Sequence, residues 1–358
     1  MPPTIPKNFG EVTTEWLSDV LSSDVTAISS ERIGEGIGLM GDIHRVELTH
    51  KSDTDGKPSS VVVKLPSTFE ENRVQGVALG MFEAEVRFYA ELGEKTGTGL
   101  PKIYFSKIQS GTADFVIVME DLSDLTMVDQ SAGMSFEQAL AAVKVLANIH
   151  AVWWGKVRTE ELEWIPSMVG PRIEYVDQVL PQIYPVFAEA FASTLPGGGA
   201  ELTEQFSRSY LSLNRQLAER APWTLAHQDY RVENMLFGDV NRDQVIVIDW
   251  QGIGRGPGAY DLAYLLGGSM DTDLRRAHER ELVAAYQDRL ADNGVEDYSI
   301  ESAWEDYGFA HLLGGLATSI FAGGTLDLSN ERGVELIALM ANRHVTAALD
   351  HGGFSQIL

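Results

Sequence analysis

The stretch LAHQDYRVENMLF, residues 225 to 237, decides how this sequence is interpreted. One histidine, two acids, an arginine and an asparagine interrupt a hydrophobic run that then resumes. A buried polar group without a hydrogen-bond partner costs about 1–3 kcal/mol, so buried strands seldom carry so many polar side chains. The pattern therefore predicts that these polar groups are kept together for a function.

The residues that follow predict an antiparallel hairpin. Two short apolar runs, Met235 to Phe237 and Val245 to Ile248, are joined by the turn-rich segment GDVNRDQ. Asn234 enters the first strand and Asp249 leaves the second, so both lie at the open end of the hairpin. An amide oxygen and a carboxylate there form a hard-oxygen pair suited to Mg²⁺, and Asp229 can reach the same space without being a ligand. Because Asp and Asn favour turns, a simple turn cluster is the alternative.

Composition indicates a folded globular protein and excludes several functional classes. The chain has 358 residues, enough for two lobes, with 44% hydrophobic residues, 34 Gly and 13 Pro. No apolar run approaches the ~20 residues of a membrane span, and MPPTIPKNFGEV lacks the features of a signal peptide, so we expect a cytoplasmic protein. The absence of cysteine excludes disulfides and thiolate metal sites, and the eight histidines form no HxxxH pair, so we do not expect a zinc enzyme.

The net charge of −25 argues against nucleic acid or an anionic membrane as a main partner, because both require clustered Lys and Arg. The charge fits either a cationic substrate or solubility in an organism whose proteins are generally acidic. The sequence gives no oligomeric state.

The first part of the chain predicts a small antiparallel sheet with one main helix packed on it. An amphipathic segment, Val12 to Leu21, precedes a strand over Ile43 to Leu48, and SSVVVKLP at 59–66 is a second strand. Residues 69–95 predict the helix, and KIYFSKI and DFVIVME predict two further strands.

From about Asp121 the pattern becomes helical. Ser135 and Gln138 predict a capping box, and helical periodicity continues over 201–220, 274–293 and 301–349. The hairpin at 235–248 is the exception. No internal repeat is present.

The spacing His227-x-Asp229-x4-Asn234, followed later by Asp249, is that of a kinase catalytic loop and metal-binding aspartate. The sequence resembles the kinase-fold small-molecule phosphotransferases, which include aminoglycoside phosphotransferases and choline kinases, and most resembles the ecdysteroid-kinase-like branch. HQDYRVENMLF and DWQ match that branch's HxDxxxxNxLF and DFQ patterns. FEAEVRFYAEL, VIVMEDL, LANIHAVWW and GAYDLAYLL are also similar to it, so the resemblance covers roughly residues 30 to 270. Gln228 stands where many relatives have Gly, and Gln251 stands where protein kinases have the Gly of DFG. Neither difference removes a ligand or the base.

The resemblance implies a bilobal, protein-kinase-like α+β fold. Residues 1–119 would form the nucleotide-binding sheet lobe, 120–123 the hinge, and 124–358 a larger helical lobe for catalysis and acceptor binding. It implies transfer of the γ-phosphoryl group of ATP, with Mg²⁺, to a hydroxyl of a small molecule. Asp229 would orient or deprotonate that hydroxyl, and Asn234 and Asp249 would hold Mg²⁺.

Lys64 is a lone lysine in an apolar strand. It is either an edge-strand charge or the phosphate-binding lysine of a kinase. Glu85, in FEAEVRFYAEL, stands where the resemblance expects its ion-pair partner, with Glu83 as a possible substitute.

Several further residues receive expected roles from the resemblance. His227 would brace the catalytic loop, and Asp261 would fix that loop through backbone hydrogen bonds or simply cap a helix. The backbone amides of Met119 and Glu120 would hold adenine. The segment GEGIGLMGD at 34–42, with Gly36 and Gly38, would cover phosphates, although it does not match GxGxxG and a plain turn remains open.

Two other functions remain possible at this point. One is phosphorylation of a 4-hydroxyacyl-CoA, which requires clustered cations, whereas Arg158, Arg172 and Arg208 are scattered. The other is a non-catalytic nucleotide-binding pseudokinase, although no catalytic residue is lost. Aromatic residues between 155 and 215 line an acceptor pocket in one interpretation and form core in the other; they are Trp164, Tyr175, Tyr184, Phe187 and Phe191.

The segment between Asp249 and Asp261 argues for a small acceptor. It has four glycines, no Ser or Thr, and Tyr260 as its only hydroxyl. We expect a tight turn there, with no phosphorylation switch and no platform for an extended peptide.

Overall fold

The computed structural model describes residues 3–34, 41–51, 56–353 and 355, and the chain divides into two compact units. The first comprises Met1–Leu125 with Val247–Gly252, and the second comprises Thr126–Ile246 with Ile253–Leu358. The predicted lobes, 1–119 and 124–358 with a hinge at 120–123, stay a prediction. The contacts nevertheless group Val247–Gly252 with the first unit, whereas the prediction assigned them to the second lobe.

The first unit contains an antiparallel five-stranded sheet. Its strands are β1 (Val25–Ile33), β2 (Gly41–His50), β3 (Ser60–Pro66), β4 (Ile103–Ile108) and β5 (Phe115–Glu120), in the order β1-β2-β3-β5-β4. Its helices are α1 (Thr14–Leu21), α2 (Glu70–Ala78), α3 (Met81–Arg87) and α4 (Gly93–Thr96), with a π-helical turn at Phe88–Leu92. The antiparallel sheet was predicted, but no bounds were predicted for β1.

The residues of β3 alternate between two environments, as their spacing predicts. Val61, Val63 and Leu65 are buried in an apolar cluster with Trp16 and Leu17 of α1. The side chain of Lys64, which lies between Val63 and Leu65 in the strand, points to the opposite face of the sheet. The sheet thereby separates an apolar face from the face that carries the lysine.

The predicted single helix over 69–95 is interrupted. Leu79 ends α2, and Gly80, with φ of 67°, begins the next helix in a left-handed conformation that glycine adopts without strain. The prediction was wrong here because the apolar periodicity continues across the break.

The second unit is mostly helical. Its helices are α5 (Phe136–Trp153), α6 (Pro171–Phe191), α7 (Gly199–Phe206), α8 (Tyr210–Arg220), α9 (Ala259–Ser269), α10 (Thr272–Asp292), α11 (Ile300–Ala310), α12 (Gly314–Thr325) and α13 (Glu331–Asp350). The predicted capping box is confirmed, since Ser135 and Gln138 exchange hydrogen bonds at the start of α5. Every residue of α9 is buried, so this helix is the centre of the unit.

Short strands lie among these helices. Strands β6 (Thr126–Met127), β8 (Met235–Phe237) and β9 (Val245–Val247) form one sheet, which contains the predicted hairpin. Strands β7 (Trp223–Ala226) and β10 (Gly254–Pro257) pair antiparallel. The tight turn predicted after Asp249 is therefore wrong, because Gly254–Pro257 is extended and pairs with β7. No helix within the described ranges is long and apolar enough to cross a membrane.

Histidines are buried where α9, α12 and α13 meet. His344 lies so close to Gly315 that a Cβ there would be 2.1 Å from its Nδ1 atom. Burial, followed by the charge of Arg343, lowers the pKa of His344 to about 3. Its imidazole is therefore neutral in the folded protein.

We predict that His344 contributes to acid sensitivity. Between pH 7 and 5 the unfolded chain, with a histidine pKa near 6.5, binds a proton at His344 that the folded chain does not bind. Stability is therefore lost as the pH falls, by about 2 kcal/mol from this residue. Urea unfolding at both pH values should show a smaller loss for His344→Gln than for the wild type. The same substitution at half-exposed His278 is the control; equal losses in His344→Gln and wild type would contradict the prediction.

Candidate active site

Lys64 and Glu85 form a buried ion pair in the first unit. The Lys64 ammonium donates to both carboxylate oxygens of Glu85 at 2.8 Å, and the two side chains are 9% and 1% exposed. Lys64 comes from β3 and Glu85 from α3, so the pair ties the helix to the sheet. Glu83, the possible substitute, instead accepts a hydrogen bond from Ser110.

Asp249 completes this cluster. Its Oδ1 atom accepts a hydrogen bond from Lys64 at 3.0 Å, and its Oδ2 atom accepts one from Gln251 at 3.3 Å. The backbone at Asp249 has φ of 65°, in a left-handed region that Asp tolerates better than most residues. Trp250 fixes this conformation, since its ring is buried and stacks on Phe88 with ring centroids 4.0 Å apart.

The charges of this cluster are unequal, because one ammonium faces two carboxylates. Burial alone would lower the pKa of Lys64, but the charges of Asp249 and Glu85 outweigh it and raise the pKa above its usual value. Burial raises the pKa of Glu85, Lys64 opposes this rise and Asp249 adds to it, so that the pKa of Glu85 is about 6. The cluster thus contains one carboxylate more than it has ammonium groups. Asp249 is the more exposed carboxylate, with 28% of its side chain exposed, and its hard oxygens suit a divalent cation.

The residues expected to hold adenine end β5. Met119 is buried and pairs with Val62, while Glu120 pairs with Val61. The side chain of Glu120 accepts a hydrogen bond from the backbone N–H of Lys102 at 2.7 Å. The binding of adenine by the backbone amides of Met119 and Glu120 stays a prediction. Gly36 and Gly38, expected to cover phosphates, lie outside the described residues.

In the second unit, Asp229 lies in the loop between β7 and β8. The side-chain amide of Asn234 donates to its carbonyl at 2.8 Å and to its Oδ2 atom at 2.9 Å. The hydroxyl of Tyr264 donates to the Oδ1 atom at 3.0 Å, and Arg231 lies 3.3 Å from the same atom. The structure thus brings Asp229 and Asn234 together, while the predicted pairing of Asn234 with Asp249 stays a prediction.

Asp261 holds this loop from within the helical core. Its fully buried carboxylate accepts hydrogen bonds from the backbone N–H groups of His227 at 2.6 Å and Gln228 at 2.9 Å. His150, from α5, lies 3.2 Å from the same carboxylate. His227 is buried, and its Nδ1 atom accepts from the N–H of Asp229 at 3.3 Å. This is the geometry expected of two residues that support a loop.

Sequence reasoning missed Tyr264 and His150 as partners of the loop. Tyr264 lies three residues after Asp261 on α9, so both side chains face the loop from one side of the helix. That spacing was a usable signal. His150 gave none, because its contact with Asp261 spans 111 positions.

The aromatic residues of the proposed acceptor region divide between the two interpretations. Phe187 and Phe191 are fully buried and stack with ring centroids 5.5 Å apart, so they belong to the core. Tyr184 donates to the carbonyl of Ala200, whereas Tyr175 is 51% exposed. Of these four side chains, Tyr175 is the one with a large free surface.

Another group in the described part of the chain has the composition of a metal site. Ligand atoms of Glu279, His311 and His351 lie within 4.8 Å of one another. The Glu279 carboxylate, however, already accepts hydrogen bonds from Arg275 and Tyr307. A cation there would face the guanidinium at close range, so we assign no site to this group.

Comparison with known proteins gives a family for this chain. The sequence model of the ecdysteroid kinase-like family matches residues 35–296. A curated relative, an uncharacterized oxidoreductase, dhs-27, of Caenorhabditis elegans, is 23% identical over 324 residues. The match covers 79% of this chain but only 37% of that protein, so the chain spans little more than a third of its relative.

Solved structures of small-molecule kinases share the fold and confirm the predicted kinase-like class. A putative aminoglycoside phosphotransferase from Ralstonia eutropha is 16% identical, with a TM-score of 0.54 and coverage of 94% of this chain and 97% of its own. Choline kinase from Cryptosporidium parvum is 10% identical, with a TM-score of 0.55 and coverage of 90% and 88%. Amicoumacin kinase hAmiN, in complex with AMP-PNP, Ca²⁺ and Ami, is 12% identical, with a TM-score of 0.52 and coverage of 88% of each chain.

We predict that Asp261→Asn destabilises the protein by about 3 kcal/mol, because an amide nitrogen would replace an oxygen that accepts from a buried N–H group. Chemical denaturation measures the loss. Asp271→Asn is the matched control, since Asp271 also accepts two backbone N–H bonds, at the start of α10, where Asn caps equally well. If both variants lose the same stability, Asp261 does not hold the loop as described.

Proposed function

Because the chain belongs to the ecdysteroid kinase-like family, we propose that it transfers the γ-phosphoryl group of ATP to a hydroxyl group of a small molecule, with Mg²⁺. The observation that carries this proposal is the buried Lys64, held between Glu85 and Asp249. A lysine positioned in this way by a glutamate is the phosphate-contacting group of a kinase.

The proposed mechanism assigns one task to each of the site residues. Lys64 contacts the phosphates of ATP, and Glu85 keeps its ammonium in place. Asp249 and Asn234 would hold Mg²⁺, and the ion would supply positive charge next to the phosphates. The backbone amides of Met119 and Glu120 bind adenine, and Gly36 and Gly38 cover the phosphates. Amicoumacin kinase, which has the same fold, is known with AMP-PNP and Ca²⁺, which supports a nucleotide and a divalent cation.

Asp229 acts on the acceptor. Its carboxylate orients the hydroxyl and accepts its proton as the phosphoryl group is transferred. Tyr264 and Asn234 each donate a hydrogen bond to this carboxylate, so its direction is fixed before an acceptor binds. Most of the rate enhancement in this scheme comes from positioning and from stabilisation of charge.

The rival functions have less support. A pseudokinase would lack one of the reacting residues, yet Lys64, Asp229, Asn234 and Asp249 are all present. A 4-hydroxyacyl-CoA acceptor needs free cations, but the arginines considered for it have partners within the chain. Arg158 stacks over Trp223, Arg172 donates to Gln228, and Arg208 pairs with Glu204.

The acceptor is tested by measuring ADP release with sets of hydroxylated metabolites, beginning with amino alcohols, amino sugars and sterols.

We predict that Asp249→Ala abolishes Mg²⁺-dependent turnover without loss of fold. Asp229→Asn should lower kcat roughly 10²–10⁴-fold, because the proton acceptor is lost. Asp239→Asn, in the turn of the hairpin, is the control and should remain active. Retained turnover in Asp249→Ala would refute the proposal.

We also predict that the enzyme needs no activating phosphorylation. Although Gly254–Pro257 forms a strand rather than a turn, the residues between Asp249 and Asp261 contain no Ser or Thr, and Tyr260 is buried. Protein treated with a broad-specificity phosphatase should therefore keep its full kcat toward the small acceptor. A large loss of rate, or efficient phosphorylation of generic protein substrates, would count against a small-molecule kinase.

A further inference from the structure

Gln228, between His227 and Asp229, has an unusual backbone conformation. Its φ is 66°, in the left-handed region where a side chain with a Cβ is disfavoured. Asp and Asn visit this region because their short polar side chains bond locally, but Gln lacks that property. Contacts from elsewhere in the chain must therefore hold the backbone at Gln228.

Arg172 supplies such a contact. Its Nη2 atom donates to the side-chain oxygen of Gln228 at 2.9 Å and to the carbonyl of Ile253 at 3.0 Å. Gly254 leaves the space for this arrangement, since a Cβ there would lie 2.0 Å from the Gln228 amide nitrogen. The guanidinium thus joins the start of α6, the loop before Asp229 and the chain that enters β10.

We propose that Arg172 is a positioning residue for Asp229. Its bond to the Gln228 side chain keeps the left-handed backbone one residue before Asp229, and this backbone sets the direction of the Asp229 carboxylate. The inference rests on the proposed function, in which Asp229 acts on the acceptor. In the sequence analysis, Arg172 was considered only as one of three scattered arginines.

The location of Arg172 gives this contact a further consequence. Helix α6 lies within residues 155–215, the region expected to bind the acceptor, and the exposed Tyr175 follows Arg172 by one helical turn. The hydrogen bond between Arg172 and Gln228 therefore connects α6 to the residue that precedes Asp229. Asp261 acts differently, because it holds the N–H groups of the loop from the buried helix α9.

Five variants test the proposal: Arg172→Met, Gln228→Ala, Gln228→Gly, the double variant Arg172→Met with Gln228→Gly, and Arg208→Met as the control. Arg208 is exposed and pairs with Glu204, so its loss removes a charge without touching the loop. The first readout is ADP release from MgATP with water as the acceptor. The second is hydrogen exchange, without nucleotide, of a peptide that contains residues 227–234.

Arg172→Met and Gln228→Ala should each lower kcat on the order of tenfold, with the KM for MgATP within about twofold of wild type, because Asp229 is misdirected and the phosphate site is intact. Both should accelerate exchange in the loop. The kcat of Gln228→Gly and of the double variant should stay within about threefold of wild type, because glycine adopts a positive φ without the hydrogen bond to Arg172. Arg208→Met should match wild type.

Two results would overturn the proposal: a double variant as slow as Arg172→Met, or Gln228→Ala as active as Gln228→Gly. The comparison of Gln228→Ala with Gln228→Gly tests the proposal even if Arg172→Met does not fold. Because exchange is measured without nucleotide, a wild type that hydrolyses no ATP would count against the proposed function alone. In that case, the hydrogen exchange of residues 227–234 in Gln228→Ala tests the proposed role of Arg172. Exchange at the wild-type rate would overturn this role, and faster exchange would support it.

Discussion

A single buried ammonium between two carboxylates is the interaction on which the first unit depends. Lys64 holds Glu85 of α3 on one side and Asp249 on the other, so it joins sheet, helix and the segment Val247–Gly252. Burying the charges of Lys64 and Glu85 is unfavourable unless their partners are well placed. Here one negative charge is left over, at the more exposed Asp249. A purely structural ion pair would not require that charge, whereas the proposed site for Mg²⁺ and phosphates would use it.

The second unit depends on another buried carboxylate. Asp261 fixes the backbone of His227 and Gln228, and it does so from α9, a helix with no exposed residue. Tyr264 of the same helix reaches Asp229 itself, while Arg172 of α6 restrains the loop through Gln228. These helices therefore restrain the loop in addition to the hydrogen bonds that it makes within itself. Such support is what a catalytic carboxylate needs if positioning supplies most of the rate.

The sequence predicted the features that are encoded locally. The spacing of Asp229 and Asn234, and the lone Lys64 in an apolar strand, are visible without a structure. The bounds of strand β1 were not predicted, because most of its side chains are exposed and its sequence has no alternation to detect. Strand β10, GRGP, was taken for a turn because only its pairing with β7 makes it extended. The contact of Arg172 with Gln228 spans 56 positions, and no local pattern reports it. The contact of Tyr264 with Asp229 spans 35 positions, and its one local signal is the spacing of Tyr264 from Asp261.

The central claim is that Lys64, Glu85 and Asp249 form a site for the phosphates and metal of a nucleotide. Calorimetric titration of ATP into wild type and Asp249→Asn, in Mg²⁺ and in EDTA, tests it most directly. The wild type should bind ATP at least about tenfold more tightly in Mg²⁺, a difference of about 1.4 kcal/mol. Asp249→Asn should lose this dependence on Mg²⁺. Equal affinities of the wild type in both conditions, or an unchanged Mg²⁺ effect in the variant, would contradict the claim.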